Sequence, residues 1–181
     1  MAEDSRQASS WYYYHRGTPQ WILGRPEQAA ADFRQSFRGL ARTTYGNVRL
    51  VLVLHELGRK QEALDALAEA RLHTDGDEWL GEILACLAGD ITPEQLLGLA
   101  RKGNRQQLCE GLYYAGEVYL LGGDVNRARR LLQACVDQGL TTDQGNFRDR
   151  LSEFELAEWR LSQFDDGAQL TSHPEEEGAQ D

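Results

Sequence analysis

The chain has 181 residues, 41% hydrophobic and 27% charged, with a formal net charge of -10, a composition that predicts one soluble domain large enough to bury its own core. No Lys/Arg cluster marks a phosphate-binding face, so neither nucleic acid nor direct contact with an anionic membrane is expected. The longest apolar run, Leu50 to Leu54, is far too short to span a bilayer.

Residues 1–9 are polar and are expected to be flexible. Met1 to Arg6 include two acids with no apolar block behind them, so no export signal is visible. The chain as it stands reads as cytoplasmic; a periplasmic or envelope location is expected if such a signal has been removed. Apolar periodicity and turn residues then predict helices over 10–23, 26–42, 44–57, 60–73, 77–88, 93–102, 106–121, 125–138 and 146–164. Thr92 is placed as an N-cap with Pro93 at the first helical position, and Asp124 caps the helix that carries Ala128. The last helix carries Phe147, Leu151, Phe154, Ala157, Leu161 and Phe164 on one stripe. Arg148, Asp149, Glu153, Glu155 and Arg160 fall on its other face, expected to meet solvent. From Asp165 to Asp181 there are six acids and no Lys or Arg, so six of the ten net negative charges sit in an expected disordered tail. The expected division is a flexible start at 1–9, a folded domain at 10–164 and an acidic tail at 165–181.

The chain repeats itself. Gly24 and Gly58 are 34 residues apart, and so are Ala29 and Ala63, and Phe33 and Leu67. Gly123, Ala128 and Leu132 form a later copy, preceded by a degenerate one at Gly89, Asp90, Ile91, Thr92, Pro93 and Glu94. The step from Gly58 to Gly89 is 31 residues, so the array is shortened there. Glycine belongs where a helix ends and the chain turns with φ > 0. The alanines let antiparallel helices approach closely, and Phe33, Leu67 and Leu132 follow one helical turn later. Gly17 and Gly116 each lie seven residues before a turn glycine, where a side chain would push the paired helices apart.

Leu112, Ala115, Gly116, Tyr119, Gly123, Asp124, Ala128 and Leu132 match the tetratricopeptide (TPR) consensus in order and spacing, and the chain resembles that family. The first repeat matches through Gly17, Gly24, Ala29 and Phe33 but has Gln20 where the family usually has an aromatic; Val51 replaces the inter-helix glycine of the second. The resemblance implies an all-α, TPR-like right-handed helical solenoid of about four helix-turn-helix repeats plus a C-terminal capping helix. A narrower resemblance runs through Tyr14-His15-Arg16-Gly17, the segment from Glu78-Trp79 to Leu96, and Glu110, Tyr114, Gly116, Glu117 and Tyr119 to Asp124. These segments are similar to bacterial TPR lipoproteins of the new-lipoprotein-I type, though no lipidation cysteine stands at the start of this chain. That likeness implies an envelope adaptor that dimerises.

No catalytic constellation accompanies the repeats. His15, His55, His73 and His173 are scattered, and Cys86, Cys109 and Cys135 are odd in number, widely spaced and without a Cys-x-x-Cys. They read as small buried hydrophobes, with no disulfide framework, metal site or cofactor expected. No Gly-x-Ser-x-Gly or Gly-rich phosphate loop is present, so the chain is not expected to be an enzyme.

The expected functional feature is a surface. In the TPR family the first helix of each repeat lines a concave groove. By phase that groove holds Trp11, Tyr14, Thr18 and Trp21; Tyr45, Val48, Arg49, Leu52 and His55; and Glu110, Tyr113, Glu117 and Leu120. Aromatic residues in such a place fit a protein or peptide partner, or a second copy of the chain as a homodimer. The bland alternative is that some of these side chains pack within the solenoid or under the terminal helix. The expected function is a protein-interaction adaptor or scaffold. The competing reading is a small acidic TPR chaperone of a bacterial secretion system.

Overall fold

Four turns of one geometry set the architecture. Gly24 and Gly58 have φ 72°, and their counterparts Gly89 and Gly123 have φ 82°. At each, the following residue's N–H reaches back across the turn: Arg25 to Gln20, Arg59 to Leu54, Asp90 to Ala85 and Asp124 to Tyr119, all at 2.9 Å. This bond closes the last helical turn around a left-handed residue, the Schellman arrangement that favours glycine. The periodic glycines of the sequence are thus the repeated stop signals of the fold.

The structure is a computed structural model that describes residues 2–37, 44–74, 77–139 and 153–170, with the side chains among them from Ser10 to Phe164. The described residues form an all-α helical repeat solenoid, without a strand: α1 (Ala2–Ile22), α2 (Pro26–Phe37), α3 (Tyr45–Glu56), α4 (Lys60–Arg71), α5 (Glu78–Ala88), α6 (Pro93–Ala100), α7 (Arg105–Leu121), α8 (Val125–Val136) and α9 (Glu153–Leu170). From α3 to α8 the ends fall within two residues of those the sequence predicts.

Two ends differ. Helix α1 starts at Ala2 rather than 10, because residues 2–16 include good helix formers and neither Gly nor Pro. Helix α9 runs past 164 to Leu170; the remainder of the acidic tail, like 140–152, lies outside the described residues.

Within a repeat, small residues set how near the helices come. A Cβ on Gly17 of α1 would lie 2.7 Å from the Phe33 ring of α2, and one on Gly116 of α7 would lie 3.2 Å from Leu132 of α8. Ala29, Ala63 and Ala128 are fully buried beside them. The degenerate copy is the short one, since α6 has only 8 residues. Its start is fixed by a capping box: Thr92 accepts from the Gln95 amide at 3.2 Å and Gln95 accepts from the Thr92 amide at 2.7 Å. Asp124 caps α8 by accepting from the Arg127 amide at 3.0 Å. Helix α9 then folds back against α7 and α8.

Candidate partner-binding groove

Contacts join some of the residues expected in a groove on α1, α3 and α7, and most of that set is buried. Arg49 of α3 is buried, donates to the Thr18 hydroxyl of α1 at 2.7 Å and lies 4.9 Å above the Tyr14 ring. The Tyr45 hydroxyl of α3 donates to Glu110 of α7 at 2.7 Å, and its ring stacks on Tyr114. Trp21, Val48, Leu52, Tyr113 and Glu117 are buried, whereas Tyr14, Tyr45, His55 and Leu120 are half-buried. Trp11 stands apart: it is 45% exposed and stacks on His15.

The cover is α9. At its start, Glu153 accepts from Arg49 Nη2 at 3.1 Å and from the Tyr114 hydroxyl at 2.9 Å. Leu156 and Ala157 follow, both fully buried. Two helical turns after Glu153, Arg160 donates from Nε to Glu117 at 2.9 Å and from Nη1 to Glu56 at 2.9 Å. Its guanidinium lies over Trp21 and Trp159, and these two indoles pack edge to face at 5.4 Å. Trp21 Nε1 donates to the same Glu56 oxygen at 2.9 Å.

This corrects the expected polarity of α9. Glu153 and Arg160, assigned from the sequence to a solvated face, turn inward instead. They do so because the face beneath carries opposite charges at matching places. Phe154, Leu161 and Phe164 still pack partly against the core, while Phe147, Arg148, Asp149 and Leu151 lie outside the described residues. Glu56, Tyr114, Glu153, Trp159 and Arg160 thus join the site from outside the residues expected in it. One sign of them was available: a groove holding Arg49, Glu110 and Glu117 needs partners for those charges, and Glu153 and Arg160 are spaced seven apart, on one helical face.

Glu110 is the most perturbed acid in the site. Its carboxylate accepts from the Tyr45 hydroxyl, from Trp79 Nε1 at 2.5 Å and from Gln106 Nε2 at 2.9 Å. Burial, and after it the charge of Glu153, pushes its pKa from the ordinary 4.5 up to about 7, against the pull of those donors. The folded chain thus holds this proton more tightly than the unfolded chain. Stability from Glu110 is present in full below pH 4.5 and is lost as pH rises through about 7. Urea unfolding between pH 5 and pH 8 should show that decline, and Glu110→Gln should flatten it; an unchanged slope in the variant would place the titration elsewhere.

For Arg160, burial works against the charge, but Glu117, Tyr113 and Glu56 outweigh it and hold the guanidinium above its ordinary value. His55 is lowered, first by burial and then by Lys60. The carboxylates of this face are thus held by donors that fasten helices together. Among the described residues, no group of three or more His, Cys, Asp or Glu gathers to hold a metal ion. No described helix is long and apolar enough to cross a membrane.

No curated protein matches the chain. Residues 110–138, which span most of α7 and all of α8, match the family model described as tetratricopeptide repeat. With the in-phase turns at Gly24, Gly58, Gly89 and Gly123, that match makes the chain similar to tetratricopeptide-repeat proteins, a class whose general role is protein–protein interaction.

Proposed function

We propose that this protein is an adaptor whose concave face receives an amphipathic helix of a partner protein, and that α9 is the helix seated there in this structure. The observation that carries the reading is the way α9 is held. Acidic Glu153 meets Arg49, basic Arg160 meets Glu117 and Glu56 two turns later, and Trp159 lies on Trp21 between them. The face is therefore complementary to a helix with an acid at its start, a small apolar patch in the middle and a Trp-Arg pair beyond it. Helix-in-groove recognition reads anchors at this kind of spacing. The likeness of the early, middle and late repeats to bacterial TPR lipoproteins supports envelope assembly as the setting. An export signal and lipidation cysteine encoded upstream is the observation to seek.

A partner must compete with α9, and a tethered helix competes at an effective concentration on the order of millimolar. A labelled peptide of residues 153–170 should accordingly bind the wild-type chain weakly. It should bind at least roughly tenfold more tightly to a Trp159→Ala chain, in which the resident helix is loosened. Glu117→Gln should weaken that gain. Absence of saturable binding to a Trp159→Ala chain that remains helical would overturn the reading and leave α9 as a permanent part of the core.

A further inference from the structure

Cys109 of α7 and Cys135 of α8 are scattered in the sequence but not in the fold. Their sulfur atoms are 2.7 Å apart, well inside the resting distance of two unbonded sulfurs. Both side chains are buried, and both thiols are free. Cys109 Sγ also faces the Cys135 carbonyl at 3.8 Å, and Cys135 Sγ faces the Glu153 carbonyl of α9 at 3.7 Å. The close packing of α7 against α8 at Gly116 holds this pair together, since consecutive helices of one repeat have little freedom to separate. Bringing the sulfurs to a bonded separation of about 2.05 Å needs less than an ångström of movement. Cys86 is also buried, and its thiol is pushed up to about 11, first by burial and then by Glu94. Among the described residues it has no such sulfur neighbour.

We propose that Cys109 and Cys135 form an oxidisable dithiol that closes to an intramolecular disulfide, stapling α7 to α8 beneath α9, with a small-molecule disulfide such as glutathione disulfide as the oxidant. The chemistry balances by two exchanges. One cysteine thiolate attacks the oxidant, forms a mixed disulfide and releases one thiolate of the reagent. The other cysteine then attacks the protein sulfur of that mixed disulfide and expels the second. Two thiol protons pass to the two released reagent thiolates, so two cysteines are oxidised and one reagent disulfide is reduced. Burial and the neighbouring sulfur both oppose loss of the Cys135 proton, with the Cys109 contact the larger influence. The exchange therefore proceeds through local opening and is slow, while its end state is set by the pairing. This assignment does not depend on what occupies the groove.

The test uses a Cys86→Ala chain, in which these two thiols are the only ones left. It is incubated folded, without denaturant, with glutathione disulfide, then denatured in acid, alkylated and weighed. The expected result is loss of two hydrogen atoms, no alkylation, and a peptide linking α7 to α8. Dithiothreitol should restore both thiols. The oxidised form should melt at a higher temperature, because the bond closes a 26-residue span in the unfolded chain. The further change Cys135→Ala must abolish the two-hydrogen loss. If Cys86→Ala fails to fold, peptide mapping of the wild-type chain gives the same reading, with Cys86 still open to alkylation. Two alkylated thiols after exposure, retained glutathione adducts, a bond between two chains, or a bond formed only in urea would each overturn the proposal.

Discussion

Replacing Trp21 with Ala is expected to lower the unfolding free energy by about 3–5 kcal/mol, the usual cost of deleting a buried aromatic ring. Trp21 is fully buried and meets Phe33 and Trp159 edge to face. Its removal empties the space between the first repeat and α9, and it strips Glu56 of the indole donor. From the sequence, a double change of Trp21 and Tyr45 to Ala should abolish partner capture or dimerisation and leave the fold helical. The structure expects otherwise for Trp21, because here it is a packed residue that α9 covers. Urea unfolding followed by far-UV circular dichroism separates the outcomes. A loss below about 1 kcal/mol would mean that Trp21 is accessible and α9 is not seated on it.

The second large effect is at Arg160. Its side chain is 11% exposed and pairs with Glu117, which is 2% exposed. Arg160→Ala leaves that carboxylate buried without its partner, and breaking a buried pair from one side costs about 3–5 kcal/mol. The attraction within the pair is a different quantity, since burying both charges carries its own desolvation cost. Glu117→Gln in the same chain removes the stranded charge, so the double variant should recover part of the loss. A double-mutant cycle read by urea unfolding measures this. Effects that add to within about 0.5 kcal/mol would show that the two groups are not coupled.

The repeat was legible because its devices are local. A glycine that must take φ near 72° at Gly24 and Gly58, an alanine five residues later and an apolar residue one turn beyond are each visible in a short window, and their recurrence fixes the phase. The caps at Thr92 and Asp124 were legible for the same reason. The orientation of α9 was not. Its apolar residues allow more than one inward face, and Phe154, Leu161 and Phe164 are partly packed even with Glu153 and Arg160 turned in. Which face wins depends on Arg49, Glu56 and Glu117, about 40 to 105 residues away in the chain.

The cysteines divide in the same way. Their burial followed from apolar helical surroundings, but the meeting of Cys109 with Cys135 follows from the register of α7 on α8. The all-α class, the turns and the pairing of helices within a repeat are set locally, because glycine conformation and helical periodicity act over a few residues. That α9 lies over Arg49, Glu117 and Trp21, and through which charges it does so, follows from the three-dimensional packing. Burying a charge is tolerated only beside a partner of opposite sign, and the placement of that partner depends on how the whole array packs.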